Sequence, residues 1–227
     1  MRIVTWNVNS IRARQERLLA LLARHRPDVV CLQELKTEAA GFPAAALAEA
    51  GYHAAVHGQK TYNGVAILAR EAPAEVVTGF GDGGDESQAR LVTATVGGLA
   101  IASVYVPNGK EVGSEKWAYK LAWLDRLAAW VRRRPPAPPL VLCGDFNIAP
   151  DARDVASPEV WAGSVLCAPP ARAAWEALLA AGLTDAFRLH HDEGGHYSWW
   201  DYRQLGFPRN DGLRIDHVLL AAPLAAR

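Results

Sequence analysis

A strand that is buried until its last residues constrains the fold of this chain more than any other stretch. Residues 140–150 read LVLCGDFNIAP, an apolar run that gives way to Gly144, Asp145, Phe146 and Asn147. Because side chains alternate along an extended chain, we expect Asp145 and Asn147 to point to one side and Phe146 to the other. The stretch therefore predicts an acid and an amide next to each other at the end of a buried strand.

Apolar runs and helical patterns alternate through the rest of the chain, which favours an α/β (α+β) fold. Strands are predicted at residues 2–6, 28–33, 52–56, 64–69, 75–78, 90–96, 99–106, 140–144 and 213–220, with a hairpin turn at Gly97 and Gly98. Helices are predicted between Ser10 and Pro27 and at residues 43–50, 115–133 and 171–181. The length fits one domain spanning residues 1–227.

Composition and charge limit the class of protein without identifying its partner. The 24 basic residues balance the 24 acidic ones, which argues against a polyanion partner unless one face is basic. The sequence has no apolar run of about 18 residues that could span a bilayer. It also shows no secretory h-region and no metal or redox spacing among its three cysteines. We therefore expect a monomeric, cytoplasmic protein that has no membrane partner.

Acids and amides end several predicted strands, and this repetition is the main functional signal. These residues are Asn7, Asn9, Glu34, Asn108, Asp145, Asn147 and Asp216. Any one of them alone is more simply a turn former, but ligands gather at strand ends. Carboxylate and amide oxygens suit magnesium, manganese or calcium better than zinc. Since GxSxG, HExxH, paired CxxC and P-loop motifs are all missing, the pattern indicates metal-assisted attack of water on a phosphate ester.

Two residues near these strand ends need the structure to assign them. His217 follows Asp216 and must point to the opposite side of its strand, so we expect a packing histidine. Tyr105 fits plain strand packing, and its hydroxyl matters only if it faces the site.

Several motifs together resemble the exonuclease III family of abasic-site DNA endonucleases. They are WNVNSIRAR, LQELK, YNGVAIL, YVPNG, GDFNIAP, YSWWDYR and GLRIDHVLL, in order from residue 3 to about residue 223. QE and GDFN mark only the larger group that includes deoxyribonuclease I, sphingomyelinases and inositol polyphosphate phosphatases. SWWDYR with the nearby LRID marks the exonuclease III branch.

The resemblance implies a deoxyribonuclease I-like fold, a four-layer αββα sandwich of two mixed sheets with helices on the outer faces. It also implies a nuclease that uses Mg²⁺, or Mn²⁺ as an alternative, on double-stranded DNA with abasic sites or blocked 3′ ends. Such an enzyme would cut 5′ to abasic sites and would act as a 3′-to-5′ exonuclease that trims 3′ ends.

Site residues follow from the same resemblance. The metal set is Asn7, Glu34, Asp145 and Asn147, with Glu34 as principal ligand. Tyr105 and Asn147 would contact the scissile phosphate. Asp145 would orient or deprotonate the water, or protonate the leaving oxygen, and Asp216 would hold a histidine. The expected DNA contacts are Lys36, Asn63, Asn108, Lys120, Trp199, Trp200, Arg203 and Leu213, of which the two tryptophans and Leu213 would line a pocket for the baseless sugar.

One family feature is missing from the 227 residues, namely the closing Ser-Asp-His segment whose histidine Asp216 would orient. We therefore expect the natural protein to continue past Arg227 and to supply its last strand there. Two alternatives stay open. One is a phospholipid or phosphoinositide phosphohydrolase of the same larger group, and the other is a catalytically inactive DNA-binding relative.

Overall fold

A computed structural model describes residues 1–202 and 205–226, and the chain forms two compact units. The first unit comprises Met1–Tyr105 and Pro135–Asp145, and the second comprises Val106–Arg134 and Phe146–Arg227. Arg203, an expected phosphate contact, lies outside the described residues. Within the described ranges, no helix is long and apolar enough to cross a membrane.

The first unit begins with a mixed sheet covered by a helix. Its strands are β1 (Ile3–Asn7), β2 (Val29–Gln33), β3 (His53–His57) and β4 (Val65–Ala69), in the order β1-β2-β4-β3, and its helices are α1 (Ile11–His25) and α2 (Ala44–Glu49). Strands β1 and β2 run parallel, whereas β4 is antiparallel to both of its neighbours. Leu18 and Leu22 of α1 lie in one buried cluster with Val30, Leu32 and Leu68 of the sheet. The apolar face predicted for α1 therefore covers this sheet.

A second mixed run of strands packs against the first sheet within the same unit. It contains β5 (Ala74–Thr78), β6 (Leu91–Val96), β7 (Leu99–Tyr105) and β8 (Leu140–Asp145), of which only β7 and β8 pair in parallel. The predicted hairpin is confirmed, because Gly97 and Gly98 have φ values of 55° and 75°. Ser103 joins the two sheets by accepting from Gln33 Nε2 at 3.1 Å and donating to the Leu32 carbonyl at 3.2 Å.

The second unit is mainly helical. Its helices are α3 (Glu115–Arg133), α4 (Pro158–Trp161), α5 (Pro169–Ala180), α6 (Gly206–Arg209) and α7 (Ala222–Ala225), and its strands are β9 (Leu183–Asp185), β10 (Trp199–Trp200), β11 (Gly212–Leu213) and β12 (Asp216–Ala221). Helix α3 has the predicted bounds and packs against α5. The predicted strand at residues 213–220 is interrupted between β11 and β12, because Arg214 turns to buried acids.

Buried charges around Arg214 hold this part of the second unit together. Arg214 donates to Asp154 Oδ1 at 2.6 Å and to Asp185 Oδ2 at 2.8 Å. A third bond, of 3.0 Å, goes to Nδ1 of His217, whose Nε2 donates to the Ile148 carbonyl at 2.8 Å. His217 is 2% exposed, so the prediction of a packing histidine is confirmed. Burial, and next the positive charge of Arg214, lower the pKa of His217 to about 4.

This lowered pKa predicts how stability depends on pH. The ordinary pKa of histidine is about 6.5, so the unfolded chain takes up a proton before the folded chain as the pH falls. The free energy of unfolding should therefore fall by about 1.4 kcal/mol per pH unit from pH 6.5 toward pH 4, through His217 alone. Urea unfolding between those pH values should show a shallower slope for His217→Gln, and an equal slope in both proteins would contradict the prediction.

Candidate metal centre

Three polar side chains from strand ends of the first unit meet at one point. Asn7 is the last residue of β1, Asp145 is the last of β8, and Glu34 follows β2. Asn7 Nδ2 donates to Glu34 Oε1 and to Asp145 Oδ2, each at 2.8 Å. The expectation that Asn7, Glu34 and Asp145 come together is therefore confirmed. The parallel pairing of β1 with β2 produces part of this meeting, since it places their carboxyl ends at the same edge.

The backbone turns sharply at Glu34, and hydrogen bonds from the turn after β1 hold this conformation. Glu34 has a φ of 52°, in the left-handed region that is uncommon for a residue with a side chain. Its carbonyl accepts from Ser10 N at 2.8 Å, and the next carbonyl, of Leu35, accepts from Ile11 N at 3.1 Å. The loops that follow β1 and β2 are thus bonded to each other, and they fix the direction of the Glu34 side chain.

Glu34 is held in its ionised form. Burial raises its pKa, but hydrogen bonds from Asn7 and Lys36, with the charge of Lys36 and a bond from Tyr105, outweigh burial, and the net pKa is lowered. Lys36 Nζ lies 3.0 Å from Glu34 Oε2 and also donates to Asn9 Oδ1. Lys36, expected to contact phosphate, therefore lies at the rim of the carboxylate site.

The Tyr105 hydroxyl faces this site, because it hydrogen-bonds the Glu34 carboxylate. Burial raises the pKa of Tyr105, and the negative charges of Glu34 and Asp145 raise it further. The hydroxyl therefore stays protonated and acts as a hydrogen-bond donor. Arg90, which the sequence did not single out, places its guanidinium 4.8 Å from the centroid of the Tyr105 ring and donates to the Tyr105 carbonyl at 3.0 Å.

The side chains that meet here fit a hard divalent cation. The two carboxylates offer oxygen donors, which magnesium and manganese prefer, and the Asn7 amide carries a further oxygen. The amide nitrogen of Asn7, with its partial positive charge, lies between the two carboxylates, at a position that favours positive charge. Asn7 Oδ1 meanwhile accepts from Asn9 N at 3.0 Å. Rotation of this amide would present an oxygen to a cation held by Glu34 and Asp145.

Asn147 lies in the second unit, where its side chain bonds to Asn108 and to the backbone of Val106. Its Oδ1 accepts from Asn108 Nδ2 at 2.9 Å, and its Nδ2 donates to the Val106 carbonyl at 3.0 Å. Strand β8 ends at Asp145, and Asn147 has a φ of 50°. The simple alternation of side chains that the sequence predicted therefore does not extend to Asn147, because its backbone is left-handed rather than extended.

Lys120 requires a correction, since a direct phosphate contact does not fit its position. Its side chain is 0% exposed, in the interior of the second unit. Its Nζ donates to the carbonyl oxygens of Asn108 at 3.2 Å, Asn147 at 2.7 Å and Val165 at 2.7 Å. A buried ammonium whose donors point at backbone carbonyls braces the loops around it. Lys120 therefore acts on Asn108 and Asn147 rather than on a ligand.

The aromatic segment lies on a small antiparallel ribbon of the second unit. Trp199 and Trp200 of β10 are partly exposed and pair with Leu213 and Gly212 of β11. Leu213 is 0% exposed, so its expected place in the wall of a sugar pocket is corrected to a buried position paired with Trp199. Phe207, which the sequence did not single out, is 69% exposed and packs edge-on against Trp200 at 5.0 Å.

The remaining expected site residues differ in their surroundings. Asn63 is 7% exposed and donates from Nδ2 to Gln59 Oε1 at 3.0 Å, which leaves little of its side chain for a ligand. Asn108 is exposed and near Asn147. Asp216 is partly exposed at the start of β12, and its backbone N–H donates to Ser198 Oγ at 3.0 Å. Asn63 is thus the least accessible of the three.

Comparison with known proteins gives a consistent family. The chain matches the Endonuclease/Exonuclease/phosphatase family over residues 4–227. It is 33% identical over 240 residues to Exodeoxyribonuclease III of Haemophilus influenzae, which covers 100% of this chain and 90% of that relative. The 3′ phosphatase NExo from Neisseria, solved bound to a product DNA hairpin, has a TM-score of 0.97 and 44% identity, covering 100% of this chain and 88% of that one. An AP endonuclease from Archaeoglobus fulgidus has a TM-score of 0.95 and 37% identity, covering 100% and 89%.

These similarities agree with the fold of the chain. The predicted fold class is confirmed, both by the two mixed sheets with a helix over one of them and by the high TM-scores. The sequence identity extends over the whole chain, so it covers the motifs as well as the scaffold. The chain therefore belongs to the endonuclease/exonuclease/phosphatase family, in the branch of exonuclease III and the AP endonucleases.

Proposed function

We propose that this chain is a divalent-metal-dependent DNA repair nuclease and that residues 1–227 belong to one domain of it. It would hydrolyse the phosphodiester 5′ to abasic sites, act as a 3′-to-5′ exonuclease and trim blocked 3′ ends on duplex DNA. The observation that carries the proposal is the amide of Asn7 between the carboxylates of Glu34 and Asp145. The names of the relatives, which include an exodeoxyribonuclease III and an AP endonuclease, support the substrate class.

The proposed metal ligands are Glu34, Asn7 and Asp145, with Mg²⁺ as the preferred ion and Mn²⁺ as the alternative. When bound, the cation supplies positive charge that stabilises the phosphorane-like transition state. Asp145 would orient the attacking water and take up its proton, or would pass a proton to the leaving oxygen. Tyr105 would donate its hydroxyl hydrogen bond to a phosphate oxygen, since its raised pKa keeps that proton in place.

Residues of the second unit complete the proposal. Asn147 would donate to the scissile phosphate or join the metal ligands, and Asp216 would orient a histidine. Partly exposed Trp199 and Trp200 would stack against the sugar or bases of DNA, and exposed Asn108 would contact the backbone. Lys36 fits a phosphate contact at the rim of the carboxylate site. The contacts of Asn63 and Arg203 with DNA stay predictions.

Cleavage of a defined lesion tests this function. The natural full-length protein should nick a duplex with a tetrahydrofuran abasic analogue on the 5′ side of the lesion when Mg²⁺ is added. EDTA should abolish nicking and excess Mg²⁺ should restore it, because the carboxylates need a cation to act on a phosphate. Gel electrophoresis of a 5′-labelled strand gives both the position of the cut and its rate.

The same preparation should be assayed on an undamaged duplex, a 3′-phosphate end, an inositol polyphosphate and sphingomyelin. Cleavage of the lipid or inositol substrates in preference to DNA would contradict the proposal. Binding of the abasic duplex without any cut, at saturating Mg²⁺, would instead identify a catalytically inactive DNA-binding relative. Each result selects one of the functions that the sequence left open.

We also propose that the protein acts as a monomer in a reducing compartment such as the cytoplasm. Cys31, Cys143 and Cys167 are each buried and free, as is usual for proteins that do not rely on disulfides. Light scattering during gel filtration should give the mass of a single chain, and a dimer mass would contradict this part of the proposal.

A further inference from the structure

A second group of metal-binding side chains lies in the second unit, on the loop between β9 and β10. His191, Glu193 and His196 present ligand atoms that all lie within 4.8 Å of one another. His191 Nδ1 is 2.9 Å and His196 Nε2 is 3.0 Å from the same oxygen, Oε1 of Glu193. The three side chains are 44%, 57% and 51% exposed, so solvent reaches them. We call these residues the His-Glu-His cluster.

The chemistry of this cluster differs from that of the carboxylate site in the first unit. Two imidazoles with one carboxylate form a ligand set that binds zinc and similar transition metals, because imidazole is a borderline ligand, whereas magnesium prefers oxygen donors alone. We propose that the His-Glu-His cluster binds a divalent transition-metal cation of the zinc type, through one nitrogen of each histidine and the Glu193 carboxylate. This set of two histidines and one glutamate leaves at least one coordination position for water.

The spacing of the ligand atoms fits such an ion. Ligands bound at about 2.0 to 2.1 Å in tetrahedral geometry lie roughly 3.3 Å from each other. The two nitrogen-to-oxygen distances, 2.9 and 3.0 Å, are already close to that value. Each ring can turn an unprotonated nitrogen toward the ion by carrying its proton on the other nitrogen, so neither has to leave its place.

Packing on Phe187 holds the two rings in this arrangement. The His191 ring stacks on Phe187 with centroids 4.6 Å apart, and the His196 ring meets the edge of Phe187 at 5.6 Å. Phe187 lies in turn under the guanidinium of Arg214, 4.9 Å from the ring centroid. Since Arg214 is buried and bonded to two aspartates, the platform beneath the cluster is rigid. A rigid platform lowers the entropy cost of binding.

The backbone of the loop is fixed as well. Arg188 Nη1 donates to the carbonyls of His191 and Glu193, each at 2.9 Å. Arg188 forms an ion pair with Asp154, and this pair reduces the repulsion between the Arg188 charge and a cation. Arg153, whose Nη1 donates to the Asp192 carbonyl at 3.0 Å, is similarly paired with Asp151. Two neutralised arginines thus position the loop and leave the net charge near the cluster favourable to a cation.

The cluster is also connected to the aromatic segment. The carbonyl of Gly195 accepts from Asn210 Nδ2 at 3.2 Å, and Asn210 Oδ1 accepts from Trp200 Nε1 at 3.2 Å. An ion that fixes His196 would therefore restrain the loop on which Trp200 depends. The inference stands independently of the proposed nuclease activity, since it concerns different residues and a different class of metal.

Calorimetric titration of the untagged full chain with ZnCl₂, in excess Mg²⁺ to fill the carboxylate site, tests the inference. We expect about one Zn²⁺ per chain. His191→Ala and His196→Ala should each weaken binding by roughly tenfold or more, as losing even an indirect partner of a ligand costs about 10- to 100-fold. The matched control is His190→Ala, because His190 is an exposed histidine next to the cluster and only its backbone N–H bonds within the loop.

Three results would overturn the inference. In the first, the unaltered chain binds no zinc. In the second, both histidine variants keep the zinc affinity of the unaltered chain. In the third, Glu34→Gln weakens zinc binding as much as His196→Ala does. The last result would place zinc at the carboxylate site. Shifts of the His191 and His196 ring C–H signals in NMR spectra on adding Zn²⁺ give a second readout, and the signals of His190 should not move.

Discussion

Glu34→Gln and Asp145→Asn should each lower kcat/KM for Mg²⁺-dependent nicking of an abasic duplex by roughly 10³-fold or more. Each change keeps the size of the side chain and removes its negative charge. Metal stabilisation of the transition state is worth several kcal/mol, and about 4 kcal/mol corresponds to this factor. The Asn7 amide would still find an acceptor oxygen at both positions, so the local hydrogen bonds should survive. Steady-state rates over a range of Mg²⁺ concentrations provide the measurement.

Matched controls show whether the loss of rate comes from the site itself or from the removal of any negative charge. Glu16→Gln and Asp125→Asn make the same substitutions at exposed helix positions and should leave the rates within about twofold. Asn7→Ala should raise the Mg²⁺ concentration needed for half-maximal rate, because it removes the third proposed oxygen ligand. Wild-type rates in both Glu34→Gln and Asp145→Asn would refute the assignment of the carboxylate site.

The pattern in the sequence placed Asn7, Glu34 and Asp145 among the residues that end strands, because strand ends are local features. The apolar runs before Glu34 and Asp145 are buried strands, the run before Asn7 is a partly buried strand, and all three stop where the polar residues begin. The parallel pairing of β1 with β2 places two of these ends on one edge, whereas the approach of β8 to them depends on the packing of the two sheets. The sequence could not assign Tyr105, because the direction of its hydroxyl depends on where β7 lies relative to β2 in the folded unit.

The surroundings that the sequence did not predict depend on tertiary contacts and on single backbone angles. Asn147 follows an apolar strand but adopts a φ of 50°, which no periodicity encodes. Leu213 was taken from a family motif, and its burial is a property of the folded ribbon of β10 and β11 that the motif does not state. A lysine is usually exposed, so nothing in the helical pattern of α3 marked Lys120 as buried.

The His-Glu-His cluster is a group of side chains that the sequence did not predict at all. The segment HHDEGGH lies in a loop with no repeating geometry, and its spacing matches no helical zinc motif. The three ligands meet only because Arg188 ties the loop carbonyls and Phe187 supports both rings. Those partners come from the buried network around Arg214, which sequence alone does not reveal.

Lys120→Met is expected to destabilise the protein by about 3 kcal/mol. Leaving a buried carbonyl without its donor costs about 1 to 3 kcal/mol, and this change affects at least the carbonyls of Asn147 and Val165. Relief from burying an ammonium offsets part of that loss. Activity should fall as well, because Asn108 and Asn147 lose their common brace. Urea unfolding monitored by tryptophan fluorescence measures the stability, and nicking rates well below the unfolding midpoint measure the activity.

The salt dependence of DNA binding distinguishes a brace from a phosphate contact. A lysine that neutralises a phosphate contributes about one unit to the slope of log affinity against log salt, whereas a buried brace contributes none. Lys120→Met should therefore bind abasic DNA with the slope of the unaltered protein. The control is Lys116→Met, because Lys116 lies one turn earlier in α3 and is exposed there, so its replacement should leave stability unchanged. If Lys120→Met keeps full stability and lowers the salt slope, Lys120 contacts a phosphate after all. Only a lysine that reaches DNA combines those two effects.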